Sequence, residues 1–416
     1  MSLAERPHGA PLVNAVSDAM DLVFYSNERV FQVDESYFGW SQAYTDFGAA
    51  LCRGISDGKT QLAAPCKQLS KAEAKDLALT PLELDPAWFH PLPYIENRYQ
   101  SAFRAIQLAR ALLSQIDTSR PVLLALPSTN SVAFWLSLMA PKSCKLVFFM
   151  RGNTVETLRQ IYRGRLLGPL VLAYAKALRW NELRLHRKGR AQIVAYGSSL
   201  AQLFQDEARP ALSVAPILDP IWLATTPPAR PPSDRVRLLF CGRLSAEKNV
   251  THLVRTVASL VAEGQDVHLT LIGDGPDLAA VQQIIDAKGL ADRVHLAGHV
   301  AFGPEFIAMF DQHDILCLPS STEGTPRVIV EAMARGLIVV ATPVGSVPDM
   351  VPGLVQMSQQ ATVESFEVEL RQVLKNRRAL AAKAQEQRLL AQEFALPEQA
   401  AQIYAKLLDV FAEGRP

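Results

Sequence analysis

Three short stretches of this chain combine residue types that can do chemistry, and each follows an apolar run that ends in a tight turn. The first is Cys241-Gly-Arg-Leu-Ser-Ala-Glu-Lys-Asn249. Arg243 and Lys248 share one strand-to-helix loop, where a guanidinium fork and a point charge beside a helix N-terminus can clamp a pyrophosphate. The same residues also read as a solvated loop, with Glu247 pairing either cation. The second is Ile272-Gly-Asp-Gly-Pro276. Gly273 and Gly275 can admit a flat base or a ribose close to the backbone, and a tight turn with Pro276 opening a helix explains them equally well. The spacing G-x-G-x-x-L is not the dinucleotide fingerprint. The third runs from Ser320 to Gly336. Thr325 is expected to cap a helix that opens at Pro326 and closes at Gly336. Free N–H groups near Gly324 and Thr325 then suit an anion or a sugar hydroxyl. Glu323 precedes that helix and can accept hydrogen bonds from a diol, and Glu331 lies near its middle. Arg327, Glu331 and Arg335 are spaced i, i+4, i+8, so an ion-pair ladder competes with a binding role for Glu331.

The elements that must position these loops are legible between 236 and 342. Strands are expected at 236–242, 267–273, 293–298, 314–319 and 337–342, with helices after Asn249 and at 277–289, 303–313 and 326–336. Strand and helix alternate with short turns, which implies a parallel, doubly wound sheet. Ligands of such sheets bind beyond the carboxyl ends of the strands, where all three motifs fall. The first half alternates less cleanly. It predicts strands at 21–26, 60–65, 122–127, 145–150 and 193–197, helices at about 41–53 and 97–116, and long insertions at 27–40 and 66–96. Pro-rich 225–234 separates the halves.

Composition narrows the class. The 416 residues are 49% hydrophobic and 20% charged, which excludes a disordered or collagen-like chain. Lys and Arg total 42 against 41 Asp and Glu, so no nucleic-acid partner is expected. The balance hides an asymmetry, 24 against 18 up to residue 215 and 18 against 23 after it. Five scattered cysteines without a C-x-x-C pair exclude a Cys-rich zinc module and argue against a disulfide scaffold. The first 20 residues lack an export signal, and Pro127–Ser131 break the uncharged stretch 121–141 before it reaches spanning length. A soluble, cytoplasmic chain is the expectation.

Gly242-Arg243, Glu247-Lys248, Gly-Asp-Gly-Pro at 273–276 and Glu323-x7-Glu331 set in E-A-M-A-R-G, in this order, resemble family 4 of the retaining glycosyltransferases, bacterial surface-polysaccharide type. The resemblance covers about 216–350 well. It implies an α/β GT-B fold: two doubly wound Rossmann-like domains facing across a cleft. Residues 1–215 with a returning C-terminal helix at 397–416 would bind acceptor, and 216–396 would bind the donor. It implies a metal-independent, retaining hexosyltransferase without a cofactor. A sugar would move from a nucleotide diphosphate, UDP before GDP, to a hydroxyl of a glycan or lipid-linked saccharide. Arg243, Lys248 and Glu323 would be the catalytic set. Gly242, Gly273, Gly324, Thr325, Pro326 and Glu331 would hold the donor, with His299 and Val300 meeting the base. A nucleotide-sugar epimerase of the same fold and a non-catalytic nucleotide-sugar-binding partner protein are the competing readings.

Two departures from the family pattern shape the acceptor side. An aromatic, polar stretch at 24–40, with Tyr25, Tyr37, Phe38 and Trp40, stands where a Gly-rich loop is common, and suits a sugar or polyisoprenoid, a hydrophobic lid or a packing shell. Arg151 and Asn153 stand where relatives carry a His, so no catalytic His is assigned; Ser128 completes the acceptor-side set. Finally, 151–190 holds ten Lys and Arg against Glu156 and Glu182 around the apolar 166–180. The tract suits anionic lipid headgroups at the inner face of the plasma membrane, or a lipid-diphosphate acceptor, and equally a solvated helical face.

Overall fold

The computed structural model describes the chain apart from 1–20, 40–47, 49–59, 76, 78, 83, 97, 163, 205–209, 229–233, 351–355, 361 and 414–416. The helix expected at about 41–53, the side chain of Trp40 and part of the Pro-rich segment therefore lie outside the described residues. The chain divides into two compact units. Unit 1 holds Met1–Tyr196, Leu200–Val214 and Leu396–Pro416; unit 2 holds Gly197–Ser199 and Ala215–Ala395.

Unit 1 contains strands β1 (Asp21–Tyr25), β2 (Val30–Val33), β3 (Ser36–Gly39), β4 (Thr60–Gln68), β5 (Thr80–Leu82), β6 (Phe89–Leu92), β7 (Val122–Pro127), β8 (Cys144–Met150), β9 (Ala191–Tyr196) and β10 (Leu212–Val214). Their order is β10-β9-β8-β7-β1-β4-β2-β3-β5, with β6 beside β4. The insertions expected at 27–40 and 66–96 are corrected here: they contribute β2, β3, β5 and β6 to the sheet, β2 and β3 as an antiparallel hairpin. Each of these strands is only three or four residues long, a weak sequence signal. The helix expected at 97–116 is two, Arg98–Phe103 and Ala105–Leu113, broken at Arg104.

Unit 2 contains β11 (Val236–Cys241), β12 (Val267–Ile272), β13 (Val294–Gly298), β14 (Ile315–Leu318), β15 (Ile338–Ala341) and β16 (Gln356–Met357), all parallel, in the order β13-β12-β11-β14-β15-β16. Successive residues feed opposite faces. Leu238 and Phe240 join one core cluster with Val340 and the helix Val250–Ala262. Leu239 joins the other, with Val339, Ile329 and Phe310. Both faces are apolar, so both need helices. The first face is also covered by a 28-residue helix, Val363–Leu390, anchored through Phe366, Leu370, Val373 and Ala384.

One buried charge fixes the helix Arg327–Ala334 from below. Arg335 is 1% exposed, donates to both oxygens of Asp311 at 2.7 and 2.7 Å, and reaches the carbonyls of Trp222 (3.0 Å) and Thr225 (2.7 Å). Removing one partner of such a pair strands the other. Arg335→Ala is expected to destabilise unit 2 by about 3–5 kcal/mol, whereas Arg335→Leu combined with Asp311→Leu should recover much of that loss. Urea unfolding of the three proteins decides it, and equal midpoints for wild type and Arg335→Ala would remove the pair from the account.

Candidate functional site

In unit 2 the chain leaves β11, fills one side of the sheet with β12 and β13, and crosses back to place β14 on the other side of β11. The loops after β11 and β14 therefore diverge at the point where strand order reverses, the usual place for a crevice in such sheets. The first carries Arg243 and Lys248, the second Glu323 to Pro326.

The two loops are fastened at three places. Lys248 Nζ donates to Glu323 Oε1 and Oε2 at 2.6 and 2.7 Å. The Ser321 N–H donates to the Glu247 carbonyl at 2.8 Å. Asn249 Nδ2 donates to the Pro319 carbonyl at 2.8 Å. Asn249 adopts the left-handed conformation that ends a 3₁₀ turn and starts the next helix, a conformation Asn tolerates. Ser320 Oγ adds a third hydrogen bond to Glu323, at 2.6 Å. Lys248 and Glu323 are 21% and 7% exposed, so the pair is largely out of water. Glu247 does not neutralise Lys248 by direct contact; its carboxylate accepts from Ser245 Oγ at 2.6 Å, and that bond holds it below the usual carboxylate range. Arg243 is exposed.

Backbone crowding explains three glycines here. Gly273 has φ +134°, and a Cβ on it would lie 1.9 Å from the Gly242 carbonyl oxygen. Gly242 and Leu244 donate in turn to the carbonyls of Ile272 and Asp274, at 2.9 and 2.9 Å. Pro276 does not open the helix, a correction, because Asp277 holds the cap position of Leu278–Ala287; the glycines at 273 and 275 are required by close approach of the loop after β11. Gly345, at φ +59°, lets the loop after β15 lie against Glu323, where a Cβ would fall 2.1 Å from the Glu323 carbonyl oxygen.

The helix start is corrected. Pro326, not Thr325, occupies the cap position of the helix Arg327–Ala334, with no side-chain cap. Thr325 Oγ1 instead faces Ser346 Oγ at 3.5 Å. Pro326 at ψ 105° is extended, so the helix begins one residue later than spacing suggests. Gly324 is exposed beside this uncapped end.

Glu331 stands on the same helix. Arg327 approaches it at 3.7 Å, but Arg335 is committed to Asp311, so the three-residue ladder is corrected to a single loose pair. Burial pushes the Glu331 carboxyl above its usual range, opposed by Arg327 and aided by Asp219. Burial, with Glu331 nearby, also pushes the Cys241 thiol up to about 12. Gly242 directly follows β11 and opens the loop that carries Arg243 and Lys248. His299 and Val300 follow β13; His299 is exposed and Val300 packs on the core below the sheet.

The residues expected on the acceptor side fall in unit 1. Arg151, after β8, bonds Glu28 at 3.3 Å. Asn153 Oδ1 accepts from Arg179 Nη1 (3.1 Å) and from the Glu156 N–H (3.4 Å), and so caps the helix Thr154–Ile161. Of the readings open for the aromatic stretch 24–40, the packing shell describes two of its residues. Tyr25 is wholly buried in β1, and Tyr37 is 7% exposed in β3, its ring 4.7 Å from that of Phe89. The hairpin gives Tyr37 a packing role.

Sequence reasoning missed Glu182. It is buried on the helix Gly168–Arg187, and accepts from the Thr129 N–H at 2.5 Å and from Ser128 Oγ at 2.8 Å. It thus fixes the turn after β7, where Thr129 has φ +55°. In sequence it is one of two acids in a basic tract, and nothing separates it from a surface counter-charge. Burial raises its carboxyl to about 7, against those two hydrogen bonds and the Arg179 guanidinium.

This α/β architecture is the GT-B fold. It is shared with the Anabaena protein Alr3699/HepE solved with UDP and glucose (TM-score 0.61, 16% identity, 94% of this chain and 99% of that one). It is shared too with sucrose-phosphate synthase of Thermosynechococcus elongatus (TM-score 0.66, 16% identity, 95% and 100%). Residues 226–388 match the family Glycosyl transferases group 1. The alpha-D-kanosaminyltransferase of Streptomyces kanamyceticus is 34% identical over 119 residues, 28% of this chain and 30% of that protein, so the likeness spans under a third of the relative's length.

The raised Glu182 carboxyl has a stability consequence. The unfolded chain releases this proton near 4.5 and the folded chain near 7, so between those values the unfolded state holds fewer protons and stability falls as pH rises. The loss is on the order of 3 kcal/mol and complete above pH 7. Glu182→Gln should flatten that fall. Urea unfolding at pH 5 and pH 8 reads it, and a slope unchanged by the substitution rejects the assignment.

Proposed function

We propose that the chain is a glycosyltransferase that moves a sugar from a nucleotide-diphosphate donor, a UDP-sugar before a GDP-sugar, to an acceptor hydroxyl. The carrying observation is the pairing of a cation loop and a carboxylate loop at the switch point of the six-stranded sheet, inside the segment that matches group 1 glycosyl transferases. In this reading Arg243 and Lys248 meet the donor diphosphate, and Glu323 with the backbone of Gly324 and Thr325 holds the sugar. Glu331 accepts from the ribose hydroxyls, and the main chain at His299 and Val300 borders the base. UDP is favoured because the Anabaena protein of this fold is a complex with UDP and glucose.

The reaction keeps the anomeric configuration. Its transition state resembles an oxocarbenium ion, with negative charge growing on the departing diphosphate. Cations on the loop after β11 and an uncapped helix end stabilise that charge, and no metal or cofactor is invoked. The departing phosphate takes the acceptor's proton. The acceptor is a hydroxyl of a glycan or lipid-linked saccharide of surface-polysaccharide type, used at the cytoplasmic side of a membrane, with Arg151, Asn153 and Ser128 on the acceptor side.

Removing one charge-stabilising partner costs about 3 kcal/mol, on the order of a hundredfold in turnover. Lys248→Ala and Glu323→Ala are expected to lose that much, with UDP-sugar consumption as the assay. Activity within about threefold of wild type, only ~0.7 kcal/mol, rejects the donor-site assignment. Each substitution strands its partner, so Lys248→Ala/Glu323→Ala separates lost folding from lost chemistry: a double variant as stable as wild type and still inactive favours chemistry. Free epimerised sugar released without acceptor would favour the epimerase reading instead.

Nucleotide binding is a separate check. UDP at a hundred times its dissociation constant should add about 2.7 kcal/mol to stability, seen as a rise in melting temperature. An ADP-selective or absent rise contradicts the donor proposed.

A further inference from the structure

The helix Gly168–Arg187 in unit 1 turns a single-signed, partly apolar face to solvent. Leu170, Ala173, Ala177, Trp180, Arg184 and Arg187 recur three and four residues apart and form one stripe. Leu170 is 69% exposed and Trp180 65%; Leu166, in the turn before the helix, is 94% exposed. Leu167 and Tyr174 extend the apolar area, and Leu138 on the neighbouring helix Ser131–Met139 is half exposed. Contiguous apolar surface of this kind marks an interaction site.

Charge identifies the occupant. From 165 to 190 the cations are Arg165, Lys176, Arg179, Arg184, Arg187, Lys188 and Arg190, and the only acid is Glu182. Glu182 points the other way, buried against Ser128 and Thr129. The exposed face therefore carries no acid of its own helix, and Ser131–Met139 has none either. Arg184 lies 5.7 Å from the Trp180 ring centroid, which places an aromatic body and a cation at one level of the helix. Aliphatic side chains at one end, an amphipathic Trp, and lysines flanking them are the arrangement that lies in a lipid headgroup layer. A second copy fits less well, because a two-fold interface on this stripe would set Lys176 and Lys188 of both copies against like charges.

We propose that this face, from Leu166 to Lys188, docks the chain on an anionic phospholipid bilayer. Leu166, Leu170 and Trp180 enter the headgroup boundary while Lys176 and Lys188 meet lipid phosphates. The proposal rests on the preceding reading only for its purpose, bringing unit 1 to a lipid-linked acceptor; the face itself stands on unit 1 alone.

The test is sedimentation of the full chain with vesicles of phosphatidylcholine, with and without one-third phosphatidylglycerol. Binding is expected only with phosphatidylglycerol and should weaken at about 0.5 M salt. Leu166→Glu/Leu170→Glu/Trp180→Glu is expected to lower partitioning at least tenfold, and Lys176→Gln and Lys188→Gln about fivefold each. All five positions are exposed, so melting temperature and the UDP-induced shift should stay at wild-type values. Equal binding to both vesicles, no binding by wild type, or unchanged binding by the triple variant overturns the proposal. So does a dimer that the triple variant dissolves while vesicle binding persists, which assigns the face to a second copy. A wild type that binds vesicles but not UDP leaves this inference standing and removes the donor reading.

Discussion

The contact between Lys248 and Glu323 holds together everything the loops after β11 and β14 can do. Two parallel strands side by side do not by themselves keep the loops beyond them at a fixed distance, because each loop leaves toward its own helix. Here the bond from Lys248 to both carboxylate oxygens, with Ser320 on the same group, ties the loop after β11 to the loop after β14. The main-chain bond from Ser321 to Glu247 and the Asn249 side chain repeat the tie on either side. Hydrogen bonds to charged groups are about twice as strong as neutral ones, and low exposure keeps water from competing. A third loop, after β15, comes close enough to Glu323 that only glycine fits at 345. The carboxylate is thus held by Lys248 and Ser320, and the backbone that carries it is packed against the loop after β15.

How much of this was legible follows from how strongly each element writes its period. The strands and helices between 236 and 342 bury both faces of one sheet, so their apolar runs are long and the glycines that end them are conspicuous. The helix Val363–Leu390 writes no clear period, because Phe366, Leu370, Val373 and Ala384, with Leu374 and Leu380 beside them, carry its core contacts over 28 residues while charged side chains interrupt the remaining apolar ones. The strands β2, β3, β5 and β6 read as insertions in the sequence because three to four residues barely show an alternation. Thr325 has the right residue type for a cap, but the extended Pro326 shifts the helix by one. Residue types and order therefore indicated which loops matter, and could not indicate partners. No one-dimensional pattern announces that Lys248 reaches Glu323, 75 positions away, or that Arg335 turns from Glu331 to Asp311.

Unit 1 shows the same limit more sharply. In unit 1 the strand order also reverses, with β7 and β4 on either side of β1, so the turns after β1 and β7 flank that unit's own switch point. The group that organises the turn after β7 is Glu182, more than fifty residues along the chain and embedded among cations. Tyr37, which an aromatic-rich stretch suggests as a ligand contact, is instead spent on Phe89. An aromatic side chain buries so much area that packing claims it unless the backbone holds it out.

The ion pair also constrains how charge can be used. A cation already bonded to a carboxylate offers a diphosphate less net attraction than a free one, so Lys248 cannot act as an isolated clamp while Glu323 holds both its bonds. Arg243 is exposed on the same loop and is the group available for first contact with an anion. A sugar whose hydroxyls donate to Glu323 would compete with Lys248 for the same oxygens and shift the lysine's charge toward the phosphate. In that arrangement the carboxylate does two jobs with one set of lone pairs. It keeps the lysine oriented in a mostly dry site, where an unpaired ammonium would be costly, and yields it as sugar and phosphate arrive together. On the proposed reading, full electrostatic help would then go to a ligand carrying both parts, and a bare phosphate or a bare sugar would receive less of it.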